Sequence, residues 1–180
     1  MSEEQAAQAG AQGVEEPIVI DPSDFRRVLG HYPTGVTVVA AHHEGVTAGL
    51  AIGSFFSVSL DPPLIGFCVG RSSTSWKSIE PVGHFVVNVL ADDQGELSGV
   101  FSGKSEDKFA GVSWRPGPGH GSPRIDGALA HIDCSLEAVM DAGDHIIVLG
   151  RVHALEVSGD PDAGPLLFFK GGYGKFERLG

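Results

Sequence analysis

The sequence predicts a mainly β domain, an antiparallel sheet closed or split into a barrel with a few short helices at its margins. Three observations carry this. Short runs rich in β-branched and aromatic residues follow one another from Val36 to Val69, with turn residues between them. Two long segments, A-L-A-H-I-D-C-S-L-E-A-V-M from Ala128 and H-I-I-V-L-G-R-V-H-A-L-E-V from His145, alternate apolar and polar residues as strands with one buried face do. The helical patterns are few and short, so a sheet of this size must manage its own edges, and closure removes them.

In chain order, residues 1–16 are rich in Glu, Gln, Ala and Gly, too poor in apolar side chains to offset chain entropy, and are expected to be a disordered acidic leader to a single domain over residues 17–180. Asp21-Pro22-Ser23 offers caps for a short helix that places Phe25, Val28 and Leu29 on one face and ends at Gly30. V-T-V-V-A-A and T-A-G-L-A-I form a hairpin around H-H-E-G, with His42-His43 in the turn. S-F-F-S-V-S-L and L-I-G-F-C-V-G are further strands on either side of Asp61-Pro62-Pro63. S-S-T-S-W-K-S-I reads as a helix capped by Ser72 or Thr74 with Trp76 and Ile79 inward. H-F-V-V-N-V-L is a strand, and D-D-Q-G-E-L-S-G-V-F is helical. A loop rich in Gly and Pro runs from Arg115 to Gly127, the two long strands follow, and P-L-L-F-F-K-G-G-Y-G-K-F closes the domain.

Composition narrows the function. With 23 acidic against 12 basic side chains and a net charge of −11, the chain lacks the basic stripe that nucleic acid requires. Cys68 and Cys134 lie in apolar strands without C-x-x-C spacing, as reduced thiols do, and no apolar run approaches the ~18–20 residues of a membrane span. No signal peptide pattern precedes the domain, so a cytoplasmic, non-membrane protein is expected. The histidines show neither H-x-x-x-H nor H-E-x-x-H spacing, and no metal is expected. Walker, G-x-S-x-G and strand-linked G-x-G-x-x-G motifs are missing, so a nicotinamide nucleotide would bind without a dinucleotide fold of that kind.

The run Gly49 to Leu64, G-L-A-I-G-S-F-F-S-V-S-L-D-P-P-L, has the make-up of a strand edge that holds a flat ligand: Gly53 admits close approach, and Ser54, Ser57 and Ser59 set hydroxyls beside apolar side chains. Arg71 to Ser75 offers a guanidinium, hydroxyls and a helix start to an anion, or is simply a serine-rich cap. By residue type alone Lys108 is a loop lysine in a chain short of bases, whose commoner fate is a solvated surface charge, His145 a turn histidine of the usually structural kind, and Tyr173 a ring that either stacks on a ligand or packs.

S-F-F-S-V-S-L-D-P-P-L, then I-G-F-C-V, D-K-F at Asp107 to Phe109, G-D-H at Gly143 to His145 and P-L-L-F-F-K-G-G-Y to Tyr173 occur in an order that resembles the short-chain flavin reductase family, over roughly residues 22–176. The resemblance implies an FMN-binding split barrel and an NAD(P)H:flavin oxidoreductase, a homodimer with flavin bound near the subunit interface, that reduces FMN or FAD with NADH or NADPH and supplies a partner monooxygenase. It implies flavin contacts from Ala51, Ile52, Gly53, Ser54, Cys68, Val69, Arg71, Ser73, Ser75, Lys108, Phe109 and Tyr173, and a nicotinamide-side role for His145. Many members read G-M-T-A-N-S-F where this chain has G-L-A-I-G-S-F, so two polar side chains are replaced by Ala51 and Gly53 and ring contacts fall to the backbone. A flavin carrier or redox sensor without turnover, or a split-barrel enzyme using a deazaflavin or pyridoxine phosphate, are the alternatives.

Overall fold

The computed structural model describes residues 18–105, 107–158, 160 and 162–179. The expected leader lies outside the described residues. Helix α1 spans Pro22–Leu29, and the Asp21 carboxylate accepts from the backbone N–H of Ser23 at 2.7 Å, satisfying one of the helix's free donors. Phe25, Val28 and Leu29 are all exposed and join neither hydrophobic core, so the apolar side of α1 is largely left on the surface of the described chain.

Among the described residues twelve strands follow in chain order with two more α-helices and one 3-10 helix, Glu80–Val82: β1 Thr34–Gly35, β2 Thr37–His43, β3 Val46–Ile52, β4 Phe56–Leu60, β5 Pro63–Gly70, α2 Thr74–Ile79, β6 His84–Val89, α3 Gly95–Ser102, β7 Trp114–Pro116, β8 Pro123–Ile125, β9 Ala130–Ala142, β10 His145–Val157, β11 Leu167–Phe169 and β12 Gly172–Gly174. Seven of them form one antiparallel sheet in the order β3-β2-β6-β9-β10-β5-β4. Period-two alternation rolls it. Val39, Leu50, Ile52, Ile65, Phe67, Val69, Phe85, Val87, Ile146 and Val148 point to a common interior, which α2 plugs with Trp76 and Ile79. The alternate residues Val38, Ala40 and Val86 pack outward against Phe101 of α3, Ile125 and Leu166, in a second core.

The edge strands β3 and β4 leave a seam, bridged by a side chain: the Ser54 hydroxyl accepts from the Cys68 N–H at 2.9 Å and donates to the Cys68 carbonyl at 3.2 Å. This is the split of the barrel.

Three local readings are corrected. His42 and His43 continue β2, and the hairpin turns on Glu44 and Gly45 alone, both at positive φ as a two-residue turn of matching twist requires. The cap of α2 is Ser73, whose hydroxyl accepts from the Trp76 N–H at 3.2 Å, rather than Ser72 or Thr74. The Arg115–Gly127 segment contains β7 paired with β8, masked in sequence by prolines at the ends of each three-residue strand. Both cysteines are free thiols, Cys134 buried with its pKa pushed up to about 12 by desolvation, Cys68 half-buried. No helix among the described residues is long and apolar enough to cross a membrane.

Candidate active site

The seam opens into a cavity of about 620 Å³ between the end of β3, the end of β5, the start of α2 and the segment after α3. One part is apolar and backbone-rich, with Leu50, Ala51, Ile52, Gly53 and Ser54 facing Cys68, Val69 and Gly70. The other is rich in hydroxyls and charge, with Ser72, Ser73, Thr74, Ser75, Lys104 and Lys108. His145, first residue of β10 and cross-strand partner of Gly70, stands on the wall; an added Cβ on Gly70 would meet only its Nε2, at 3.8 Å.

Sequence dictates each placement. β3 is an edge strand that among the described residues pairs with β2 alone, so every second one of its residues turns its N–H and C=O away from β2. Beyond the end of β5 at Gly70, Ser73 turns the chain by donating its N–H to the Gly70 carbonyl and caps α2, which brings the following hydroxyls to the cavity. The Asp107 carboxylate accepts from the N–H groups of Phe109 and Ala110 at 3.1 and 3.0 Å, a local turn that turns Lys108 inward. Its Nζ donates to the Ser75 hydroxyl at 3.1 Å and to the Phe101 carbonyl at 2.8 Å. Burial pushes the Lys108 ammonium's pKa down, so an anion beside it would recover solvation that the ammonium has lost. At the opposite wall, His145 Nδ1 lies 2.7 Å from Asp144 Oδ1. The contact lowers the Asp144 carboxyl's pKa and orients the imidazole with Nε2 toward Gly70.

Of the residues singled out in the sequence, Ala51, Ile52, Gly53, Ser54, Cys68, Val69, Ser73, Ser75, Lys108 and His145 meet in this one cavity. Three do not. The Arg71 guanidinium turns to the β9–β10 hairpin, donating to the Gly143 carbonyl at 2.9 Å and pairing with Asp141 at 2.6 Å. Phe109 is buried in the outer core, edge-on to Phe101 and Trp114. Tyr173 lines a neighbouring pocket of about 250 Å³ with Phe168, Val36 and the same Ala51 to Gly53 strip, its hydroxyl 2.9 Å from that of Ser98. Lining residues that sequence reasoning missed are Leu50, Gly70, Phe101, Ser102 and Gly103. The last three come from the end of α3, whose approach to β3 is set by Gly49: a Cβ there would lie 2.6 Å from the Phe101 ring. An unbranched backbone point in the middle of a strand was the available signal.

The donor set suits a flavin. A flat ring with amide edges matches an apolar strip bordered by outward backbone groups, and a phosphate matches hydroxyls and ammonium groups at the far end. Residues 29–177 match the family model of the flavin reductase like domain. A flavin reductase of Pseudomonas putida is 52% identical over 161 residues, spanning 89% of this chain and 93% of that protein. The reductase subunit HsaB of a flavin-dependent monooxygenase from Mycobacterium tuberculosis is 47% identical over 158 residues, 88% and 84% of the two chains. The solved Streptomyces globisporus NADH:FAD oxidoreductase SgcE6, in complex with NAD and FAD fragments, superimposes with a TM-score of 0.81 at 36% identity, covering 89% of this chain and 98% of that one.

Proposed function

This chain belongs to the flavin reductase like family, and from that premise we propose how its own residues carry the reaction. The protein is an NADH-dependent flavin reductase with a split-barrel fold. Bound flavin supplies the hydride-accepting chemistry, and the protein supplies binding, orientation and exclusion of water. The observation that carries the reading is the joining, in one cavity, of the Leu50 to Ser54 strip, the Ser72 to Ser75 hydroxyls and Lys108, with His145 on the wall.

In this reading the outward backbone groups of β3 hold the ring edge, doing through main chain what Ala51 and Gly53 cannot do through side chains. Val69 and Ile52 cover the ring, Ser75 and Lys108 take the phosphate, and Ser73 adds its O–H while its lone pair caps α2. His145, oriented by Asp144, borders the nicotinamide. Tyr173 supports the Ala51–Gly53 strip from the adjoining pocket. Arg71 serves by anchoring the β9–β10 hairpin that carries His145, and Phe109 by backing Phe101. The reduced flavin passes to a flavin-dependent monooxygenase, as the relationship to a monooxygenase reductase subunit favours. The chain works as a homodimer in the cytoplasm, with the exposed apolar side of α1 as part of the contact.

The test is twofold. NADH oxidation must depend on added flavin. In His145→Ala, flavin affinity should stay within about twofold of wild type while KM for NADH rises or flavin reduction slows about tenfold or more, the signature of a contact to one substrate only. Stopped-flow traces unchanged across NADH concentrations would make His145 a structural turn residue.

A further inference from the structure

Two walls of the main cavity are tied together by a side chain. Between Ile52, the last residue of β3, and Phe56, the first of β4, the chain crosses the seam through Gly53, Ser54 and Phe55. Phe56 pairs with Gly66 of β5, and the same register carried two residues further would set Ser54 opposite Cys68. No main-chain pair forms there. The Ser54 hydroxyl instead takes both Cys68 groups that a strand would have taken, accepting from the N–H at 2.9 Å and donating to the C=O at 3.2 Å. We propose that Ser54 is a positioning residue for flavin reduction: its hydroxyl clasps the Leu50 to Ser54 strip to the Cys68 to Gly70 wall and so sets the slot in which the flavin ring lies. The proposal rests on the flavin reading of the main cavity.

The bonding capacity of the hydroxyl separates a clasp from a ligand contact. A serine hydroxyl has one proton to donate. The Cys68 carbonyl takes it, so none is left for a carbonyl or a ring nitrogen of a flavin. The main chain of Ser54 is placed differently: the residue belongs to no strand, and its N–H and C=O make no backbone hydrogen bond among the described residues. The side chain thus replaces the missing strand pair and leaves the backbone to a ring edge in the cavity that Ser54 lines. The other partner is firmly held. Cys68 faces Ile147 of β10 within the seven-stranded sheet, and two residues along the same pair of strands Gly70 faces His145. Clasping the strip to Cys68 therefore places it relative to His145 as well. A misplacement of about 1 Å between reacting groups can slow a reaction on the order of 100-fold.

The experiment compares wild type, Ser54→Ala and Ser54→Thr by amide hydrogen exchange at Cys68, read by NMR without ligand and with riboflavin, and by fluorescence titration of riboflavin and FMN. In flavin-free protein Ser54→Ala should speed exchange at the Cys68 amide about tenfold or more. It should also weaken riboflavin and FMN by the same factor, about fivefold or more, because the slot holds the ring that both share. Ser54→Thr keeps the hydroxyl and should return both measurements to within about twofold of wild type. Unchanged Cys68 exchange in Ser54→Ala would overturn the clasp, and a Ser54→Thr protein that behaves like Ser54→Ala would do the same. Faster exchange with unaltered flavin affinity, or a loss confined to FMN, would overturn the positioning role and leave the flavin reading intact. A Cys68 amide protected in free wild type and released when riboflavin binds would give the hydroxyl to the ring and overturn the proposal. Wild type that binds neither flavin would overturn the flavin reading and the positioning role together, while the exchange comparison would still decide the clasp.

Discussion

Lys108 shows what a single residue in this site has to do. Its ammonium is half-buried and already bonded to Ser75 and the Phe101 carbonyl, so it arrives at the cavity held in place rather than swinging from a loop. Lys108→Ala should therefore weaken FMN about 10- to 100-fold, the equivalent of a charge-assisted contact of roughly 1.5–3 kcal/mol, and leave riboflavin, which has no phosphate, nearly unaffected. Titration of both ligands checks this; equal losses would move Lys108 away from the phosphate. The residue type and its neighbours Asp107 and Phe109 are visible in the sequence. The partner, 33 positions away on α2, is not. The same limit separates Lys108 from Arg71. Both are cations in loops that a phosphate could use, and only the fold shows that Asp141 and the Gly143 carbonyl have claimed the guanidinium. Phe109 follows suit: an aromatic ring next to a binding lysine is as good a core residue as a ligand contact, and Trp114 and Phe101 decide for the core.

At the scale of elements, legibility followed periodicity. β2, β5, β6, β9 and β10 each carry a clean two-residue alternation or a continuous apolar run, and each is readable because one register buries the right side chains and a one-residue slip exposes them. β7 and β8 are three residues long, too short for any period to show, and are tied to the long strands by Glu156 of β10, which accepts from Arg115 of β7 and from Arg124 of β8, the latter buried also against Asp133. The joint between β3 and α3 was legible only as an odd glycine. Gly49 lets the Phe101 ring lie on the strand, and that contact sets where α3 ends and therefore where Ser102, Gly103 and the Phe101 carbonyl meet the cavity. Gly49→Val should cost about 1–3 kcal/mol by overpacking, although valine is a good strand former. In a domain of this size that lowers Tm by roughly 2–10 °C. Thermal denaturation checks it, with Gly49→Val/Phe101→Ala as the compensating pair; an unchanged Tm in the single variant would mean that the ring moves aside freely and does not position α3.

The whole molecule poses a problem of charge and exposed surface together. A chain of net charge −11 repels a second copy of itself, yet it leaves Phe25, Leu29 and Phe168 exposed around one groove where α1 meets the β11–β12 hairpin, with Val28 and Phe169 exposed on the same elements. Arg26, Arg27 and Lys170 lie around the groove and locally offset the chain's excess negative charge, so a second copy seated here would bury these apolar side chains away from the bulk of the acidic surface. Phe168 also lines the pocket behind the Ala51 to Gly53 strip, so this surface adjoins the wall of the main cavity. Phe25→Glu/Leu29→Glu adds charge to exposed positions that no described core contact uses, so the monomer should fold with an unchanged circular dichroism spectrum. Sedimentation velocity should then show a dimer for wild type and a monomer for the double variant, and flavin affinity should fall with dissociation if the partner supports the strip. A wild-type protein that sediments as a monomer at tens of micromolar would refute the pairing. A variant that stays dimeric would instead assign the contact to another face and leave the α1 surface for a different protein.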